Sequence, residues 1–318
     1  MNKVKVITDS CADLGKELRD KYDIDYARMN IVWDGKEKQA SCDWDLYTVK
    51  ELYDAMRGGA RITTTQVPDA EFERIFPLYL EQGYDIVYVS CSSALSGSFF
   101  RGQVVAKNLA DKYPNQKVLC VDPKNSCCGE ALVVIEAAKK AAEGAGVEEV
   151  AAYAEKVAVH SMQFCAPGEL TYLRRAGRVK ATTAFFGNLF GIKPILISNK
   201  LGENEAVKKV KGRKNSLDEL VSMLAKSIDD SVYPVSEQTV FVVHADCQND
   251  ADYLVAQVKA KVNPKEIIVN AIGPIIGASA GPDTVALYAF GDRYAAVGEY
   301  TAAEYNARAV IGNNRARN

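Results

Sequence analysis

Short β-branched runs recur along the first half of this chain, and each leads through a loop of small polar residues into a helix-patterned stretch. No other feature narrows the fold as much. Strands joined by crossover helices pair in parallel, and a parallel sheet needs helices over both faces. The clearest instance is Tyr84–Arg101, YDIVYVSCSSALSGSFFR. Ile86, Val87, Tyr88 and Val89 read as a buried strand. Ser90–Gly97 is a loop of small and hydroxyl-bearing residues. From Ser98 the apolar residues Phe99, Val104, Val105 and Leu109 return at helical spacing. The free N–H groups and positive dipole end of a helix start attract an anion, and hydroxyls beside them donate to carboxylate or phosphate oxygens. The same serines equally serve as plain helix caps.

In chain order, Lys3–Thr8 is a first strand closed by Thr8-Asp9-Ser10, with Asp13 as N-cap of a helix through about Lys21. Asp9 sits where α/β proteins place polar binding groups, at the carboxyl edge of the sheet; an Asx turn is the other reading. Ile24–Trp33 looks extended, Asp34-Gly35 is a hairpin signal, and Lys36–Ala40 is the return strand. A helix over Leu46–Met56 stops at Gly58-Gly59. Ile62–Val67 is a threonine-rich loop ahead of Pro68 and a helix over Ala70–Leu80. It is either a second anion site or a solvated loop. Lys117–Val121 is another strand, followed by helices reaching Ala142 and spanning Val147–His160.

Past about residue 160 the pattern changes. A short helix covers Leu170–Arg175. Thr182–Ile192 is apolar on nearly every side, which calls for core, an interface or a cavity wall. Strands fall at Lys193–Ser198, Glu205–Val210, Thr239–Val243 and Glu266–Asn270. Ser216 caps one helix, and Asp250–Val262 is another. Gly273–Pro282 reads as a long irregular stretch whose glycines allow a ligand to approach closely. Val285–Phe290 is a last strand, and the tail carries one helical piece, Ala302–Val310. The expected fold is α/β in two α/β domains. Residues 1–160 hold a mostly parallel sheet flanked by helices, with a hairpin excursion at about 24–45. Residues 161–318 hold a mixed sheet with helices and an extended tail, and a ligand cleft lies between the domains.

Composition excludes several functions. A net charge of −2 leaves no electrostatic footprint for nucleic acid. No apolar run is long enough to span a bilayer, and no signal peptide precedes the first strand, so a cytoplasmic location is expected. The eight cysteines form no CxxC pair and, with two histidines in the chain, point to free thiols in a reducing compartment and to no metal site. The fingerprints GxGxxG, GxxxxGK[ST] and GxSxG are absent, and neither His160 nor His244 falls in a catalytic-looking loop. No cofactor is expected. The polar loops at 8–10, 63–66, 90–97 and 273–283 suggest a protein that binds an anion. A hydrolase using Ser96 as nucleophile is the alternative, and it needs a base that the sequence does not supply; a binding module for another anionic or amphipathic small molecule is the third reading.

The ordered pieces Thr8-Asp9-Ser10 with Asp13-Leu14, Thr64-Thr65-Gln66 ahead of Phe72, Ser92–Ser98, Leu170–Leu173 with Gly177-Arg178-Val179, Lys193–Leu196 and Ile272-Gly273-Pro274 carry a resemblance. From about residue 3 to 290 the chain resembles the DegV family, whose better understood members are bacterial fatty-acid-binding proteins. The resemblance implies a long-chain acyl group in a tunnel between two domains. Its carboxylate would lie on hydroxyls at Thr65 and Ser96, with Thr64, Ser93, Gly97 and Ser279 around the head group. Phe185, Phe186, Leu189, Phe190, Ile192 and Ile276 are the tunnel candidates. Arg178 and Arg175 would lie on the rim or on a partner-facing surface. In some family members a separate kinase subunit phosphorylates the bound carboxylate, so the resemblance implies a kinase partner protein and no enzymatic activity in this chain. The sequence departs from the family pattern where Ser279 replaces a histidine and Asp283 a glycine, and at Asp122-Pro123 and Gln66-Val67-Pro68.

Overall fold

A computed structural model describes residues 2–180 and 191–297. The tunnel candidates Phe185, Phe186, Leu189 and Phe190, and the tail helix expected at 302–310, lie outside the described residues. The first half runs β1 (Val4–Asp9), α1 (Lys16–Tyr22), β2 (Ile24–Ala27), β3 (Asn30–Trp33), β4 (Lys36–Gln39), α2 (Val49–Arg57), β5 (Thr63–Thr65), α3 (Asp69–Leu80), β6 (Asp85–Val89), α4 (Ser98–Leu109), β7 (Val118–Val121), α5 (Cys128–Ala142) and α6 (Val147–Ala158). The second half adds β8 (Ser161–Ala166), α7 (Leu170–Ala176), β9 (Ile192–Ser198), β10 (Asn204–Lys211), α8 (Arg213–Ser227), β11 (Thr239–His244), α9 (Gln248–Lys261), β12 (Glu266–Ala271), α10 (Pro274–Ala280) and β13 (Val285–Phe290).

The first sheet has the order β2-β1-β6-β7 and is parallel throughout. Every residue of β6 is buried, as a strand covered on both faces requires. Its Tyr88 ring meets Phe72 and Phe76 of α3 edge-on, at centroid distances of 5.2 and 5.9 Å. The second sheet has the order β10-β9-β8-β13-β11-β12 and is mixed, with β11 parallel to β12 and antiparallel to β13. A small antiparallel sheet, β4-β3-β5, stands apart from both.

Four sequence expectations change here. Ile24–Ala27 is not part of the hairpin excursion: it pairs in parallel with β1, and the hairpin is Asn30–Gln39. The threonine loop is strand β5, paired with β3 through Thr64 and Ile31. Ser216 does not cap α8, because the helix already starts at Arg213 and the Ser216 hydroxyl donates to the Arg213 carbonyl. Gly273–Pro282 is not irregular but holds α10, with Pro274 in the first turn, where its missing N–H costs nothing.

Close packing explains a glycine in α10. Tyr53 of α2 is fully buried and its hydroxyl donates to the Ile272 carbonyl at 2.6 Å. A Cβ on Gly277 would lie 2.3 Å from that hydroxyl oxygen. Gly277→Ala is therefore expected to cost about 1–3 kcal/mol by overpacking, measured as a lower midpoint of chemical denaturation. An unchanged midpoint would mean that α10 shifts freely against α2.

Candidate functional site

The site begins at the carboxyl edge of the parallel sheet. Neighbouring strands β1 and β6 end there, and Asp9 ties the two following loops together. Its Oδ1 accepts from the Cys11 amide at 2.9 Å; its Oδ2 accepts from the Cys91 amide at 2.9 Å and the Tyr88 hydroxyl at 3.0 Å. Asp9 therefore makes the local Asx turn and orients the neighbouring backbone as well. Burial pushes its carboxyl above the usual range, and these three donors partly offset that.

Asp13 is not the N-cap of α1. It takes a left-handed backbone (φ 49°) and is buried, while Gly15 precedes α1. The Cys127 thiol donates to its Oδ2 at 3.0 Å, and its Oδ1 presses on Gly273 ahead of α10 without a donor in hydrogen-bond geometry. Burial pushes this carboxyl up to about 7; the Cys127 thiol and the Gly273 amide work against the rise, and nearby Asp9 adds to it.

A cavity lies over this edge, between it and the second sheet. Its polar residues include Thr64, Gln66, Ser96, Arg178 and Ser279, with Gly97 beside them, and Ser126, Gln163, Asn204 and Thr284 elsewhere on the wall. Leu95, Leu173, Leu196, Ile272, Ile275 and Ile276 supply aliphatic wall. Thr64, Arg178 and Ser279 also line an adjoining groove with Tyr172 and Arg175, which puts them at the cavity's mouth.

The Ser96 hydroxyl is arranged to donate. Its oxygen accepts from the Ser98 amide at 3.2 Å and lies 3.0 Å from the Ser98 hydroxyl. Ser98 is fully buried, and its own oxygen already accepts from the Val67 amide at 3.1 Å. The arrangement that leaves no buried donor idle has Ser98 donating to Ser96. The Ser96 proton is then free to point elsewhere. Beside it, the Gln66 amide oxygen packs so closely on Gly97 that a Cβ there would lie 2.0 Å away.

Alternation along β5 separates the two threonines. Thr64 lines the cavity, whereas the Thr65 hydroxyl donates to Glu37 Oε1 at 2.7 Å on an exposed face. Ser93 is also away from the cavity, near the Lys124 ammonium at 3.5 Å. Ile276 lines the cavity; Ile192 does not, since it pairs with Lys211 where β9 begins. Arg178 reaches the cavity while its Nε donates to the Leu95 carbonyl at 3.1 Å. Arg175 stacks over the Tyr172 ring in the adjoining groove. Sequence reasoning missed Gln66, although it stood in the motif Thr64-Thr65-Gln66. It also missed that Cys11, Met29, Cys91 and Cys165 share one cavity wall.

His244 is held as a structural residue: its Nδ1 accepts from the Cys247 amide at 3.3 Å, and burial lowers its pKa. Among the described residues, no three His, Cys, Asp or Glu side chains converge as metal ligands, and no helix is long and apolar enough to cross a membrane.

The family model described as an uncharacterised protein of the DegV family matches residues 3–292. A DegV domain-containing protein of Clostridium perfringens is 34% identical over 292 residues, covering 92% of this chain and 99% of the relative. Among solved structures, a fatty-acid-binding DegV family protein from Thermus thermophilus superposes with a TM-score of 0.80 at 24% identity, over 91% of this chain and 99% of that one. A DegV lipid-binding protein from Thermotoga maritima gives 0.77 at 25% identity, over 91% and 98%. A stearic-acid-binding protein from Eubacterium ventriosum gives 0.80 at 20% identity, over 92% and 99%.

Proposed function

Because the chain belongs to the DegV family, we propose that it binds a long-chain fatty acid in the cavity between its two sheets. One observation carries this reading: the Thr64 and Ser279 hydroxyls and the Arg178 guanidinium gather at the mouth of a cavity that Ser96 and Gln66 also line, and whose wall includes a set of aliphatic and sulfur-bearing side chains. The carboxylate would rest on the Ser96 and Thr64 hydroxyls, with Gln66, Gly97, Ser279 and Arg178 around it. The structure of β5 favours Thr64 over Thr65 for this role. The acyl tail would run along Leu95, Ile275 and Ile276. Each buried CH₂ contributes about 0.8 kcal/mol, so the tail supplies most of the affinity. The donors offset the desolvation of the head group.

We read the protein as a carrier. The groups bonded to the Ser96 oxygen are the Ser98 amide and hydroxyl, and neither is a base. Chemistry on the carboxylate would then belong to a partner, and a separate kinase that phosphorylates the bound fatty acid fits the resemblance of the motifs. Arg178, with its guanidinium at the mouth and its Nε on the Leu95 carbonyl, would lie on the face such a partner meets.

Native mass spectrometry of the purified protein is expected to show a co-purifying species of fatty-acid mass, released on denaturation. A bare chain that also takes up no added oleate or stearate would overturn the reading.

A further inference from the structure

Three adjacent strands of the parallel sheet each deliver one sulfur to the same edge. Met29 follows β2, Cys11 follows β1 and Cys91 follows β6, and these strands lie side by side in that order. Cys11 sits in the middle. Its thiol donates to Met29 Sδ at 3.3 Å, and Cys91, on the other side, shares the cavity wall with it, both amides being held by the one Asp9 carboxylate. The three residues are only 2–4% exposed, yet all line the cavity, so their sulfurs face a space that a small solute can enter. The backbone holds them in place: Asp9 accepts from the Cys11 and Cys91 amides, and the Ser10 hydroxyl oxygen accepts from the Met29 amide at 2.9 Å.

We propose that Cys11, Cys91 and Met29 form a binding site for a thiophilic metal ion, Cu(I) by its donor set. The two cysteine sulfurs are the principal ligands and the Met29 thioether is the third. Soft thiolate and thioether donors select Cu(I), which accepts low coordination numbers. Zn(II) wants four ligands of sulfur, nitrogen or oxygen, and no further His, Cys, Asp or Glu joins these two cysteines among the described residues. On binding, both thiols lose their protons to solvent, so Cu(I) and two thiolates form a site of net charge −1. Arg178, on the same cavity wall, offsets part of that charge. The neighbouring pair Cys127 and Cys128 is not arranged this way. The Cys127 thiol donates to Asp13, Cys128 receives the Asn270 amide, and neither lines the cavity.

The test is an anaerobic Cu(I) titration of reduced, delipidated protein against a chromogenic copper chelator, and it stands whether or not the cavity binds a fatty acid. One tightly held equivalent is expected. Cys11→Ser and Cys91→Ser should each weaken it by roughly 100-fold, and Met29→Leu by roughly 10-fold, because each removes a soft donor. Cys165→Ser, on the same wall but outside the trio, should leave it unchanged. X-ray absorption should count three sulfur ligands in the parent and two in Met29→Leu, a volume-conserving swap that keeps the test open if a serine variant fails to fold. Unchanged affinity in the Cys11→Ser/Cys91→Ser double variant, or an equal loss in Cys165→Ser, would overturn the proposal.

Discussion

Fatty-acid affinity should fall by roughly 100-fold in a Ser96→Ala/Thr64→Val double variant, since hydrogen bonds to a charged group are worth about 1.5–3 kcal/mol each and about 1.4 kcal/mol is a tenfold change. Thr64→Val keeps the fold's requirements, whereas Ser96→Ala also takes away the acceptor of the Ser98 hydroxyl and amide, so the midpoint of chemical denaturation is measured alongside the affinity. Valine matches threonine in shape and suits the strand position of Thr64 opposite Ile31. Ser96 is only partly buried, and Ser98, which is fully buried, keeps its bond from the Val67 amide. The matched control is Ser93→Ala/Thr65→Val, which removes two hydroxyls of the same motifs that lie off the cavity, one beside Lys124 and one on Glu37. Isothermal titration with oleate should separate the two pairs. A fatty alcohol of equal length, having no carboxylate, should lose far less on the same substitutions. Equal binding by the parent and the Ser96/Thr64 pair would show that the head group lies elsewhere in the cavity.

That pair of variants marks how far the sequence could be read. Periodicity located most of the strands and helices and exposed the serine stretch as a polar loop at the edge of the parallel sheet, but it read the threonine stretch as a loop where the structure has strand β5 of the small sheet. It did not say which of two neighbouring threonines faces the cavity. That depends on β5 pairing with a hairpin strand more than 30 residues away in sequence, and a shift of one residue turns every side chain over. Asp13 failed for a related reason. Aspartate ahead of a helical pattern is ordinarily a cap. Here a left-handed residue turns the chain inward, and the carboxylate packs on Gly273, far along the chain. Gly273–Pro282 misled because glycine and proline usually interrupt helices. In α10 proline occupies the first turn, and the glycine is needed for contact with Tyr53. The three sulfurs were visible one by one as buried thiols and a methionine. Only the order of strands β2-β1-β6 puts them side by side.

The contact between Asp13 and α10 carries the largest expected effect on stability. The Asp13 carboxyl is raised from 3.8 to about 7 in the folded protein, chiefly by burial. Between these values the folded state keeps a proton that the unfolded state has released. Folding therefore binds protons, and this group's contribution to stability falls as pH rises from about 4 to about 7. Below that window Asp13 costs nothing extra, and above it the full cost of a buried charge applies. An asparagine in its place has no charge to bury and tolerates the left-handed backbone at this position (φ 49° in the parent). Asp13→Asn should thus gain stability relative to the parent as pH rises through the window and hold that gain above it. The width of the window, at about 1.36 kcal/mol per pH unit, caps the gain at roughly 4 kcal/mol. Any change in the Cys127 or Gly273 contacts adds an offset that does not vary with pH, so the slope of the difference isolates the carboxyl. Asp9 and Glu130, also raised by burial, are coupled to Asp13 by charge, so removing its carboxyl eases their ionisation too, and the pH-dependent gain includes that share. Urea denaturation at pH 5 and pH 8 measures it. A difference in unfolding free energy that is the same at both pH values would mean that Asp13 is already ionised in the folded protein at pH 5.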